Sequence, residues 1–145
     1  MTQFCLGLIV GMLVMLLLML LIPPVSLAYP QEVKAIVGEA AGEGYIGMVA
    51  VGEAIRNRGA LRGVYGLTAK HLPLADIGTW QMAERAWEAS KTSNLTNHAT
   101  HWESVDFPTP AWVPDMVLTT QIGKHRFYRP KERSQSALSR EKPQP

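Results

Sequence analysis

Two carboxylates, Glu39 and Glu43, lie in a glycine-rich stretch between two apolar segments. A carboxyl group that apolar neighbours partly remove from water has a raised pKa and can serve as a general acid near neutral pH. We expect this of Glu39. On a continuous helix the i, i+4 spacing would put both carboxylates on one face, with Cβ atoms about 5–6 Å apart. The glycines at 38, 42 and 44 make such a continuous helix unsafe to assume, because glycine disfavours helix interiors.

A metal site is the second chemistry to weigh, because His98 and His101 are three residues apart. In zinc peptidases the H-E-x-x-H motif places two histidines on one helix face, with a Glu directly after the first. Here the segment reads as extended, that Glu is missing, and the one cysteine, Cys5, lies far away in an apolar segment. The sequence therefore predicts no metal and no cofactor.

Two helices are predicted to position Glu39. The first begins after Pro30 and buries Val33, Ile36, Val37 and Ala40, and the glycines should end it near Ala41. The second begins at Tyr45 and runs to Arg58. Glu53, in this second helix, is expected to face solvent or to pair with Arg56 or Arg58.

The rest of the chain alternates loops with short elements. We predict a loop over 59–76 with one short helix near Thr68–His71, and an amphipathic helix at Trp80–Ser90. An extended segment follows Asn97, then a helix from Pro114 to a C-terminal cap at Gly123, then a strand at 125–128. The predicted fold class is α+β, mainly helical, with a short β element.

The N-terminal residues 1–28 read as a signal peptide or a membrane anchor. Phe4–Ile22 is uncharged and apolar, which predicts an N-terminal apolar helix of nearly membrane-spanning length. Ser26, Leu27 and Ala28 form a small-x-small site that would allow cleavage after Ala28. Either outcome predicts export to the cell envelope, in the periplasm or the wall.

Charge divides the remainder into a domain at 29–130 and a basic tail at 131–145. From Lys124 onward there are seven Lys or Arg against two Glu, whereas the rest of the chain is mildly acidic. The composition of the tail favours disorder. Basic and aromatic residues are not interleaved, so no nucleic acid partner is predicted. Nothing in the composition indicates an oligomeric state.

Four blocks in order carry a resemblance to a known family: AIVGEAAGEGYIGMVAVGEAIRNR at 35–58, NHATHW at 97–102, PAW at 110–112 and IGKHRFYRP at 122–130. Together they resemble the cell wall hydrolase family named for the spore-cortex-lytic enzyme SleB. The resemblance implies a small lysozyme-related fold that acts on the glycan strands of peptidoglycan as a lytic transglycosylase, with Glu39 as the catalytic acid. It also implies a set of substrate-binding residues: Glu43, Tyr45, Thr100, His101 and Tyr128.

The chain also departs from this family. Members usually have Tyr and His where Trp102 and Glu103 stand, and the family's middle segment is shortened and unrecognisable between Gly59 and Gly78. Three alternatives therefore stay open. One is a hydrolase that uses both Glu39 and Glu43, another a silent peptidoglycan-binding domain, and the third a lysis factor that acts through its apolar segment.

Overall fold

The computed structural model describes residues 11–15, 17 and 29–131. Most of the predicted export segment, its cleavage site and all of the predicted tail except Lys131 lie outside those residues. Within the described residues, no helix is long and apolar enough to cross a membrane.

Three helices and a three-stranded sheet make up the described domain. The helices are α1 (Gln31–Ala40), α2 (Gly44–Arg58) and α3 (Ile77–Ala89), and the strands are β1 (His101–Ser104), β2 (Met116–Ile122) and β3 (His125–Pro130). Short 3-10 turns lie at Ala41–Glu43, Tyr65–Thr68, Leu72–Leu74 and Val113–Asp115. The predicted α+β fold class with a short β element is confirmed.

Helix α2 is the centre of the core. Every residue from Gly47 to Ile55 is buried, so the helix is covered on all sides rather than along one stripe. Its small residues allow neighbours to approach closely, and a Cβ added at Gly52 would lie 3.2 Å from both Ile36 and Ser90. Helices α1 and α3 and the sheet therefore pack around it.

Helix α1 presents the predicted apolar face to that core. Val33, Ile36, Val37 and Ala40 are fully buried, as the helical spacing indicates. The helix ends at Ala40 and continues as the 3-10 turn Ala41–Glu43. The predicted break is present, and it puts Glu39 in the last turn.

The sheet has the order β1-β3-β2 and is antiparallel throughout. Strand β1 pairs only with β3 in the described residues, with Trp102 opposite Phe127 and Glu103 opposite Arg126. Phe127 is fully buried and belongs to the core. The sheet therefore joins the core through its central strand and leaves β1 at an edge.

The predicted helix from Pro114 to Gly123 is wrong. Pro114 lies in a 3-10 turn, and the residues after it form strand β2. Val117, Thr119, Thr120 and Ile122 are β-branched residues, which favour strands. Gly123 has φ +56° and starts the turn into β3, where glycine adopts a positive φ without steric cost.

The expectation for Glu53 is also wrong, because this side chain is 3% exposed. Its Oε1 accepts hydrogen bonds from the backbone N–H and the hydroxyl of Thr96, and its Oε2 from Leu95 N–H and Ser93. Burial alone would raise the pKa of Glu53, but these donors lower it overall. Glu53 therefore fixes the loop that precedes β1 against α2.

Candidate active site

Glu39 is held between two parts of the chain that are distant in sequence. Its Oε1 accepts a hydrogen bond from the backbone N–H of Gly66 at 2.5 Å. Its Oε2 accepts one from Trp102 Nε1–H at 3.2 Å. Both donors are neutral, and each carboxylate oxygen keeps a further lone pair for a proton or a ligand. The carboxyl group is therefore fixed in position, and both of its oxygens can still bind a proton or a ligand.

The bond from Gly66 depends on a close approach between two glycines. A Cβ added at Gly38 would lie 1.9 Å from the carbonyl oxygen of Gly66, and a Cβ added at Gly66 would lie 2.7 Å from Glu39 Cγ. Real side chains do not reach such distances. The 3-10 turn Tyr65–Thr68 therefore lies directly on α1 because both positions lack a side chain.

A cavity of about 930 Å³ lies in front of Glu39. Helix α1, the turn at Tyr65, strand β1, the loop after β1 and the β2–β3 turn all contribute to its walls. The lining residues with acidic, basic or aromatic side chains are Glu39, Glu43, Arg58, Tyr65, His101, Trp102, Glu103, Asp106, Phe107, Trp112, Lys124 and His125. The cavity has the volume expected of a small-molecule or oligomer site.

Glu43 lies in the cavity wall but has a structural contact of its own. Its Oε2 accepts a hydrogen bond from the backbone N–H of Lys124 at 2.8 Å, in the turn between β2 and β3. A Cβ added at Gly123 would lie 1.9 Å from this oxygen, so glycine is required there for a second reason. Glu43 thereby holds the hairpin turn against the junction of α1 and α2.

The other two carboxylates of the cavity wall are paired with cations. Glu103 Oε1 accepts hydrogen bonds from Tyr128 Oη at 2.8 Å and from Arg126 at 3.3 Å. Asp106 forms an ion pair with Lys124 at 2.7 Å. Glu39, in contrast, accepts both of its hydrogen bonds from uncharged groups.

Two histidines line the cavity, and the pKa of each lies below its usual value. Burial lowers the pKa of His101 below its usual value, and the nearby Arg58 lowers it further. Burial also lowers the pKa of His125, although Glu43, Glu39 and Asp106 act in the opposite direction. Both imidazoles can therefore donate one hydrogen bond and accept another.

The structure brings three of the predicted site residues to the cavity: Glu39, Glu43 and His101. Thr100 is not part of the lining, but its hydroxyl lies 2.9 Å from His101 Nδ1 and can orient that ring. Tyr128 is buried behind the wall, where it donates to Glu103. Tyr45 is exposed and lies outside the lining. The catalytic role of Glu39 and the binding roles of the other five residues stay predictions.

Several lining residues were missed by sequence reasoning. Trp102 lies in the NHATHW block, at a position where members of the family usually have tyrosine. This exchange was the sequence feature that could have identified it as a site residue. Tyr65 and Gly66 lie in the segment that no pattern identified. His125 lies in the IGKHRFYRP block at 122–130, and this membership was its available signal. Phe107, which follows the end of a strand, carried none.

No cluster of three or more His, Cys, Asp or Glu side chains within the described part of the chain is placed to hold a metal ion. His98 is exposed, whereas His101 lines the cavity.

Comparisons with known proteins place this geometry in context. Neither protein-family models nor curated proteins give a match to the chain. Among solved structures, the catalytic domain of the Bacillus cereus SleB protein matches with 26% identity and a TM-score of 0.50, covering 70% of this chain and 92% of that one. The catalytic domain of the germination-specific lytic transglycosylase SleB from Bacillus anthracis matches with 24% identity and a TM-score of 0.49, covering 74% of this chain and 100% of that one. The chain has a SleB-like fold.

Proposed function

We propose that this chain is a peptidoglycan-degrading enzyme that cleaves the bond between N-acetylmuramic acid and N-acetylglucosamine. The observation that carries the proposal is Glu39. Among the described residues that line the cavity, it is the carboxylate whose two oxygens each accept a hydrogen bond from a neutral donor fixed by the fold. The likeness to the SleB catalytic domain supports the same class of enzyme.

In the proposed reaction, Glu39 first acts as a general acid. It transfers its proton to the glycosidic oxygen while the bond from that oxygen to the anomeric carbon of the muramyl sugar breaks. The resulting carboxylate then takes the proton of the muramyl 6-hydroxyl as this oxygen attacks the same carbon. No water is consumed, and the product carries a 1,6-anhydro ring.

A two-carboxylate hydrolase is the alternative, since such enzymes need a second carboxylate to activate water or to attack the sugar. Glu43 is the candidate from sequence. The helix ends at Ala40, so Glu39 and Glu43 do not share a continuous helical face. Glu43 Oε2 also accepts the N–H of Lys124. Both observations favour the transglycosylase.

The products distinguish the two reactions. We expect mass spectrometry of the soluble fragments from purified peptidoglycan to show 1,6-anhydromuramyl ends. These ends are lighter than hydrolysed ends by one water and resist borohydride reduction. Reducible muramyl ends would instead indicate the hydrolase. An absence of soluble fragments, with wall binding retained, would indicate a silent binding domain.

Trp102 is proposed as the positioning residue for Glu39, because its Nε1–H is the donor to Oε2. Trp102→Phe keeps an aromatic ring but removes this donor, together with one of the two fused rings of the indole. A hydrogen bond to a charged group contributes about 1.5–3 kcal/mol, so we expect kcat on peptidoglycan to fall about tenfold to a hundredfold. The affinity for glycan should change little.

A matched control is Trp87→Phe, which also replaces an indole by a phenyl ring. Trp87 packs under the guanidinium of Arg56, 3.3 Å from the ring centroid, away from the cavity. It should leave kcat unchanged. An unchanged kcat for Trp102→Phe as well would show that the indole does not position Glu39.

A further inference from the structure

Two aromatic rings in the cavity wall are left largely open to solvent. Tyr65 is 84% exposed and Phe107 is 73% exposed, yet both line the cavity in front of Glu39. Single exposed apolar side chains are common on protein surfaces. What distinguishes these two is how firmly the backbone around each is fixed.

Tyr65 begins a 3-10 turn that one hydrogen bond ties to α1 and another braces internally. The next residue, Gly66, donates its N–H to Glu39 Oε1, and the Thr68 hydroxyl donates to the carbonyl oxygen of Tyr65 at 3.0 Å. The turn also lies close against α1 where Gly66 faces Gly38. The ring is therefore presented from a rigid part of the chain.

Phe107 is fixed in a comparable way from the other wall. Its N–H donates to the carbonyl oxygen of Ser104 at 3.2 Å, and Val105 N–H donates to the carbonyl oxygen of Lys124 at 2.8 Å. Asp106 adds its ion pair with the Lys124 side chain. The loop after β1 is thus attached to the β2–β3 turn.

The two rings belong to different parts of the cavity wall, and each part supplies a hydrogen-bond donor to Glu39. Tyr65 lies beside the residue that donates to Oε1, and β1, which leads to Phe107, supplies the donor to Oε2. A ligand that reached both rings would pass the carboxyl group between them.

The polar groups of the same wall indicate what kind of ligand fits. In the described part of the chain, the buried side-chain atoms that lack a hydrogen-bond partner are Glu103 Oε2 and His125 Nδ1. Both residues line the cavity. Buried polar atoms without a partner are rare in folded proteins and call for an explanation. A pyranose offers apolar C–H faces for the two rings and hydroxyl or acetamido groups for such polar atoms, so a sugar suits both features of the wall.

We infer that Tyr65 and Phe107 are sugar-stacking residues that hold a glycan strand on either side of Glu39. This inference rests on the proposed function and names the glycan, not the stem peptide, as the part of the substrate that is recognised. It also assigns a role to the segment 59–78, whose sequence departs from the SleB family.

Binding can be measured without turnover by using Glu39→Gln as the background. The probe is peptide-free glycan strands, prepared from peptidoglycan with an amidase, in isothermal titration calorimetry. We expect Tyr65→Ala and Phe107→Ala each to weaken binding about twofold to tenfold, as the contribution of one aromatic contact indicates. Tyr65→Phe and Phe107→Tyr keep the rings and should retain the affinity.

Leu74→Ala is the matched control, because Leu74 is 83% exposed and lies outside the cavity lining. Its affinity should equal that of the background. Equal affinity for all variants, or loss at only one of the two rings, would overturn the inference and leave the proposed function intact. Strands that fail to bind while the wild-type chain still cleaves intact peptidoglycan would overturn it too, in favour of peptide recognition. A wild-type chain that neither cleaves nor binds would refute the proposed function itself.

Discussion

Glu39→Gln is expected to abolish cleavage of peptidoglycan and to leave the fold and the binding of glycan intact. Glutamine keeps the shape of a protonated glutamate, and its carbonyl oxygen can still accept a hydrogen bond from Gly66 or Trp102. It has no acidic proton to transfer. A positioned general acid contributes typically about 10²–10⁴ in rate. Because the same group must also act as the base, we expect a loss at or above about 10⁴, measured as release of soluble fragments.

Glu43→Gln is the comparison for this variant. Its expected loss is smaller under the transglycosylase reaction, because the muramyl hydroxyl replaces the water that a second carboxylate would activate. Severe and equal losses at both positions would indicate a two-carboxylate hydrolase. Retention of most of the activity by Glu39→Gln would show that the catalytic assignment is wrong.

Gly38→Ala is expected to lower activity by at least about a hundredfold, although alanine is the better helix former by about 1 kcal/mol. The new Cβ would lie 1.9 Å from the carbonyl oxygen of Gly66, so the turn at Tyr65 must move away from α1. That movement removes the N–H donor from Glu39. A misplacement of about 1 Å at a catalytic group can cost about 10²-fold. Steady-state turnover and the melting temperature should both fall.

Gly42→Ala separates this effect from helix propensity. A Cβ at Gly42 meets nothing within 4 Å, and Gly42 lies in the 3-10 turn between the two carboxylates. The variant should keep the activity of the parent chain and its stability. Full activity in Gly38→Ala would contradict the idea that glycine contact positions the carboxyl group.

The elements with a clear period were predictable from sequence. The apolar spacing in α1 and the glycines after it gave both the helix and its end, and the break at Ala40 was expected within one residue. The same reasoning placed Glu39 in a last turn. These predictions succeed because burial of one helix face is a local property of the sequence.

The elements defined by distant partners were not predictable in the same way. Proline at the start and glycine at the end of 114–123 are compatible with a helix, whereas the β-branched residues between them and the pairing with β3 make the segment a strand. The sequence of its own helix predicts that Glu53 faces solvent. Its burial depends instead on hydrogen-bond donors from the loop at 93–96. Trp102 lies 63 residues from Glu39. Spacing along one segment carries no information about such contacts.

The contacts that assemble the site also determine when it can exist during synthesis. Trp102 reaches Glu39 from a strand whose partner in the sheet is β3, the last element described. The bond from Lys124 to Glu43 joins residues 81 positions apart, and contacts of such separation must overcome a large loop-closure entropy before they stabilise the fold. Until β3 has been synthesised and has paired with β1, the chain therefore has Glu39 but no second wall to hold it. The complete cavity is in this sense a late feature of the described domain.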